Sequence, residues 1–259
     1  MTHVKRYRMP AYWGMGVKEK TFAIVPRGAH PQQASIPLAV ALRNLLHVAG
    51  DRAEARRILQ AEKVLVNKVV RKDVRLGIGL MDLLEIPELG KVWRVELTKH
   101  GLALRETASG DQKLCKVMGK TTLRGGKLQV NLHDGRNLLL DAACKRGDSL
   151  LLSLPGRQLL QHYPLQEGAD VLITAGSKRG LRGTVQALQG RTHMEGTATA
   201  TLDVEGQRVE TLQAYLFVIG QKGEAKAGGR SELRDGASGG GLGENSGSPP
   251  RKRARKEKA

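Results

Sequence analysis

Three stretches of this sequence place residue types at spacings that could do chemistry. "MGKTT" (residues 118–122) sets glycine, lysine and threonine in the order of a loop that cradles nucleotide phosphates. "HDGRN" (133–137) puts His133 beside Asp134, a pair suited to general acid–base work. "TAGSKRGLRGTV" (174–185) spaces glycines between Lys178, Arg179 and Arg182, which would suit either nucleotide phosphates or those of a polymer.

The first two fail on their own terms. A phosphate loop needs G-x-x-x-x-G-K-[ST], and its first glycine would fall at 114, where Leu114 stands. His133 and Asp134 open an Asp-Gly hairpin turn, on which both side chains are expected to be solvated. Metal chemistry has no visible site either. Cys115 and Cys144 are the only cysteines, too far apart for a zinc ribbon, and the seven histidines show no metal-ligand grouping. Two ordinary thiols fit a reducing compartment, and no cofactor is expected.

The third stretch is decided by the rest of the chain. Lys and Arg number 43 against 25 Asp and Glu, a formal net charge of +18. Such an excess suits a polyanion, because each neutralised phosphate releases condensed counterions. No apolar run reaches the roughly 18 residues of a membrane span, and the basic N-terminus lacks the apolar core of a secretory signal. A soluble intracellular protein is expected. Aromatic residues make up only 3%, which directs recognition toward phosphates and shape more than base stacking.

The elements that must position these residues divide the chain into five parts. Residues 1–36, interrupted by prolines and glycines, read as an irregular basic arm. There Lys5, Arg6 and Arg8 meet phosphates, and Tyr7, Tyr12 and Trp13 stack on bases or anchor the arm. Residues 37–106 begin with two helices. Leu38, Leu42, Leu45 and Ala49 share one face of the first, which Gly50 should end. Asp51 and Glu54 cap the second, along which Arg52, Arg56, Gln60 and Lys63 form one polar stripe without alternating acids. Arg43 on the first helix and Arg57 beside the stripe join the candidate contacts. "KVLVN", "KVVRKDV" and "GLMDLLEIPE" follow as strands, bringing Asn67, Lys68, Arg71 and Lys72. Residues 107–167 read as a meander of short strands. Residues 168–220 read as strands around a glycine-and-cation loop, closing as a small barrel. Residues 221–259 are a Gly/Ser-rich linker and the tail "RKRARKEKA", whose Arg251, Lys252 and Arg253 would meet nucleic acid. The fold class is α+β multidomain.

Specific motifs resemble known families. "RRILQAEKVLVNK" after two helices is similar to the S-four-type RNA-binding domain, in which Arg-x-x-Leu precedes Val-x-Val-Asn-Gly. Lys68 replaces that glycine. The stretch 168–186 resembles the KOW motif, with Gly176, Lys178–Arg179, Gly180 and Gly183 in place. "HVKRYRMPAYW", "IPLAVALRN", "GLMDLLEI", "KLCKV", "LHDGRN" and "FVIG" occur in one order. That combination resembles the e-type small-subunit ribosomal protein four family of archaea and eukaryotes. The resemblance implies a cytoplasmic, non-catalytic ribosomal component. Its partners would be small-subunit ribosomal RNA and neighbouring ribosomal proteins, with no membrane and no small-molecule substrate. Two other readings remain: an RNA-modifying enzyme carrying an S-four-type domain, and a KOW-containing RNA-binding or transcription factor.

Overall fold

The computed structural model describes residues 3–16, 18–108, 110–140, 144–190 and 197–221. Arg251, Lys252 and Arg253 lie outside them.

The arm is packed, contrary to the expectation of an irregular terminus. β1 (His3–Lys5) pairs antiparallel with β2 (Phe22–Ile24), setting Lys5 opposite Phe22. Between the two strands Met9, Trp13 and Met15 enter the core, with Trp13 fully buried. The Trp13 indole Nε1 donates to the Ser35 carbonyl at 2.9 Å, so its one polar atom is satisfied. Prolines and glycines prevent long elements here, but they do not prevent burial. Each buried large apolar side chain is worth about 1.5–3 kcal/mol.

β3 (Ser35–Pro37) leads into α1 (Leu38–Val40), which continues as a π-helical stretch over Ala41–Leu45. The first helix therefore ends well before Gly50. His47 takes the left-handed conformation (φ 53), and the N–H groups of Val48 and Ala49 both donate to the Leu42 carbonyl. The chain doubles back so that Ala49 still reaches the core with Leu38 and Leu42, which explains the helical spacing of these residues. In α2 (Arg52–Gln60), Asp51 Oδ1 accepts from the Arg52 N–H at 2.7 Å. Glu54 reaches back to the Gly50 N–H at 2.8 Å, one residue beyond the usual capping-box partner. Ala55 and Leu59 are buried, while Arg52, Arg56 and Arg57 stay exposed.

Three five-stranded sheets follow, all antiparallel. The first contains β4 (Leu65–Val66), β5 (Val69–Val70), β7 (Leu83–Ile86), β8 (Lys91–Thr98) and β9 (Gly101–Glu106), while β6 (Gly77–Gly79) pairs with β3. Asn67 and Lys68 link β4 to β5 with φ of 54 and 64, the signature of a type I′ turn. Lys68 thus keeps the turn that glycine would favour, at a cost of order 1 kcal/mol.

The second sheet runs β12-β11-β10-β13-β14, from β10 (Gln112–Thr122), β11 (Leu128–Leu132), β12 (Asn137–Leu140), β13 (Ser149–Ser153) and β14 (Leu159–Tyr163). "MGKTT" lies inside β10 with Gly119 to Thr122 in register against β11, so it is a strand and not a loop. Cys115 and Cys144 are buried, free thiols.

The third sheet runs β18-β17-β16-β15-β19, from β15 (Ala169–Ile173), β16 (Arg182–Gln189), β17 (Thr199–Val204), β18 (Gln207–Leu212) and β19 (Leu216–Gln221). Glu205 and Gly206 make its tight hairpin, both at positive φ. Among the described residues no ladder joins β18 to β19, so the sheet has two edges where a closed barrel was expected. Val171, Ile173, Val185, Leu202, Leu216 and Phe217 form its core.

Candidate nucleic-acid interface

α2 turns Arg52, Arg56, Arg57 and Gln60 to solvent. Among the described residues no acidic side chain is ion-paired with these three arginines. The lysines nearby differ. Lys63 lies beyond the helix and meets Glu88 at 2.9 Å, Lys72 meets Glu62 at 2.6 Å, and Lys68 meets Glu85 at 2.9 Å and Asp111 at 3.3 Å. The Lys63 and Lys72 pairs are exposed and worth roughly 0–1 kcal/mol each, so a phosphate can displace the acid, whereas Lys68 and Glu85 are half-buried. Arg43 is half-buried, its Nε donating to Asn44 Oδ1 at 2.6 Å. Arg71 is also half-buried, and its Nε lacks a hydrogen-bond partner among the described residues.

Three of the sequence candidates turn inward. Trp13 anchors the arm. The Arg6 guanidinium donates to the carbonyls of Met15 at 2.6 Å and Gly16 at 3.2 Å. Asn67 is buried; its amide donates to Asp82 Oδ1 at 2.8 Å and accepts from the Leu83 N–H at 3.0 Å. Lys5 and Arg8 stay exposed, flanking the Tyr7 ring at 5.9 and 5.8 Å.

In the 174–181 loop Lys178 is exposed. Arg179 lines a cleft of about 870 Å³ together with Arg8 and Gly176. Arg182 instead reaches Glu96 on β8 at 3.4 Å. Gly180 and Gly183 do not serve a phosphate chain. A Cβ on Gly180 would sit 2.4 Å from the Thr98 carbonyl carbon, and one on Gly183 would sit 2.5 Å from the Asp203 oxygen. Both glycines let protein backbone approach protein backbone.

The His133–Asp134 turn forms, but its side chains are not solvated. Lys113 Nζ, on β10, lies 2.8 Å from Asp82 Oδ1 and 2.7 Å from Asp134 Oδ2, with all three side chains buried. Asp82 Oδ2 also accepts from the Gly79 N–H at 2.7 Å and faces His30 Nε2 at 3.2 Å. Neighbouring sheets roof this turn, so it became an interior junction. His133 Nδ1 accepts from the Lys116 N–H at 3.1 Å, which leaves Nε2 to donate to the Leu80 carbonyl at 3.0 Å. Its ring meets Phe217 edge-on at 5.4 Å. The only signal for this junction was a charge inside apolar strands, Asp82 in "GLMDLLEI" and Lys113 in "KLCKV".

Burial, with Lys113 nearby, lowers the His133 pKa to about 4 from an ordinary 6.5. The unfolded chain therefore takes up a proton that the folded chain refuses between those values. Stability should fall by about 3 kcal/mol as pH drops from about 6.5 to 4. Urea unfolding across this range should show a slope of about one proton, and His133→Gln should flatten it. The same junction silences Cys115: burial pushes its thiol up to about 12, leaving it no nucleophile near neutral pH.

Exposed basic residues on α2, on the arm and in the 174–181 loop, with the His133–Asp134 turn closed into an ionic junction, describe a binding protein more than a reaction centre. Comparison with known proteins agrees. The profile of the ribosomal family S4e matches residues 98–159, from the end of β8 to the start of β14. Small ribosomal subunit protein eS4 of Methanococcus vannielii is 36% identical over 230 residues, covering 85% of this chain and 94% of that protein. The eS4 of Methanocaldococcus jannaschii is 34% identical over 231 residues, with the same coverage of both. The crystal structure of the 30S ribosomal protein S4e from Thermoplasma acidophilum aligns with a TM-score of 0.62 at 26% identity, over 74% of this chain and 97% of that one. A chain that matches eS4 proteins along nearly their whole length, and shares a β-rich multidomain fold with a solved S4e, belongs to the ribosomal S4e family.

Proposed function

We propose that this protein binds ribosomal RNA through the arginine face of α2, the Lys5–Tyr7–Arg8 cluster and the 174–181 loop, with neighbouring ribosomal proteins on other faces. Membership of the family makes the chain a structural constituent of the small ribosomal subunit, at work in the cytoplasm, and not an enzyme. The observation that carries the RNA reading is the run of exposed arginines on α2 without acidic partners among the described residues. A merely solvated helix face would intersperse both signs. Lys63, Lys68, Arg71, Lys72 and Arg182 extend the candidate surface, whereas Arg6, Trp13 and Asn67 support it from within. In finer terms, we assign residues 37–106 to an S-four-type module, 107–167 to a central β domain and 168–220 to a KOW unit. No helix among the described residues is long and apolar enough to cross a membrane.

Two measurements test this. The protein should cosediment with small subunits in high-salt sucrose gradients; a free enzyme or transcription factor would stay near the top. Arg52→Glu with Arg56→Glu should lower the log–log salt slope of RNA binding by roughly 0.7 to 0.9 per lost phosphate contact. An unchanged slope would return the stripe to an ordinary solvated face.

A further inference from the structure

A second basic feature was not visible in the sequence, because its residues come from four separate segments. A cleft of about 440 Å³ opens between the β1–β2 hairpin and the two helices. Lys20, Arg43, Arg52 and Arg75 line it, and Phe22 forms part of its wall. None of the lining residues is acidic. Four cations around so small a space repel one another, and a bound anion would relieve that repulsion.

Phe22 is 49% exposed, as Tyr7 is exposed on the arm, whereas Trp13, Trp93 and Phe217 are buried. His3 braces its ring edge-on, with centroids 4.7 Å apart. A single exposed apolar side chain needs no explanation. An exposed ring on the wall of a cation-lined cleft is different, because it supplies what phosphate contacts lack, a platform for a base. Arg43 is oriented by the Asn44 amide oxygen at 2.6 Å, and Arg75 by the Val25 carbonyl at 3.4 Å, so two of the cations are held in place.

We propose that this cleft takes an unpaired nucleotide of RNA, its base stacked on Phe22 and its flanking phosphates held by Lys20, Arg43, Arg52 and Arg75. The inference rests on the RNA-binding reading above and adds the class of RNA that this face recognises. Paired bases have no free face to offer a side chain, so a duplex would use the cations but not the ring.

The full chain should be titrated with short oligoadenylate and with a short RNA duplex, following fluorescence anisotropy across a salt series. Phe22→Ala should weaken the single strand about tenfold, the scale of losing one base stack, and leave the duplex unchanged. Phe22→Leu, which keeps an apolar side chain beside His3, should show the same loss with an unchanged melting temperature, separating stacking from folding. Arg43→Gln with Arg52→Gln should lower the single-strand salt slope by roughly 0.7 per contact. A bromouridine-substituted single strand should photocrosslink to the peptide that contains Phe22. If wild type binds neither RNA, the RNA-binding reading falls, and this inference with it. If it binds RNA but Phe22→Ala and Phe22→Leu lose nothing, or lose both RNAs equally, only the unpaired-nucleotide assignment is overturned. Displacement by oligoglutamate with both Phe22 variants silent would overturn it too, and give the cleft to an acidic protein neighbour.

Discussion

Asp82→Ala should destabilise the protein by about 3–5 kcal/mol, because it removes one of the two carboxylates that hold the buried Lys113 ammonium and takes the acceptor from the Asn67 amide and the Gly79 N–H. Asp82 holds together groups distant in the chain: the Asn67 amide, the Gly79 N–H, His30 of the arm, and Lys113 of the second sheet. Burial alone would push its carboxyl up, but Lys113 and His30 outweigh that and hold it well below the ordinary 3.8. Lys113 is raised in turn, since Asp82 and Asp134 more than offset its own burial. A carboxyl with a depressed folded pKa stabilises fully above its unfolded value. That contribution is lost as pH falls below about 4 through the folded pKa. Equilibrium urea unfolding of wild type and variant at neutral pH would measure the effect. Asp82→Leu with Lys113→Met should recover only part of the loss, because it still leaves the buried Asp134 carboxylate, the Asn67 amide and the Gly79 N–H without these partners. A single alanine variant as stable as wild type would mean that the junction carries no weight in the fold.

The second large effect is expected from Gly180→Val. Gly180 sits at φ +85, and an added Cβ would lie 2.4 Å from Thr98 C and 2.5 Å from Lys99 N, both backbone atoms that cannot swing aside. Strain and collision act together, so a cost above about 3 kcal/mol is expected. Gly176 provides the control within the same loop. Its φ is +87, but the nearest atoms to an added Cβ are 3.7 Å away on the flexible Tyr215 ring. Gly176→Ala should therefore cost only the backbone strain, of order 1 kcal/mol. Thermal melts followed by circular dichroism would separate the two. Equal costs would show that φ alone matters and that the approach to Thr98–Lys99 does not. Lys178→Ala with Arg179→Ala should melt as wild type and yet leave the ribosome at lower salt, since it removes charge from a turn and nothing from the core. Assembly of that variant as wild type across a salt series would turn the loop away from RNA.

What local order can encode was present in the sequence. The +18 charge is composition alone, and the capped helix at 52–60 and the Asp134–Gly135 turn depend on residues a few positions apart. Turn chemistry and alternation act over that range. Burial does not. Basic residues that look alike in sequence part company in the fold: Arg52 and Arg56 face solvent, Arg6 holds two loop carbonyls, and Arg182 turns to Glu96. "MGKTT" became a strand through pairing with β11, and Trp13 left the surface through a bond to Ser35. His133 and Asp134 were expected in water because a two-residue turn is exposed by itself. They turn inward because Lys113, 21 residues away, meets Asp134, and the Leu80 carbonyl, 53 residues away, meets His133. A side chain is buried by whatever packs over it, and those atoms come from parts of the chain that no local spacing specifies.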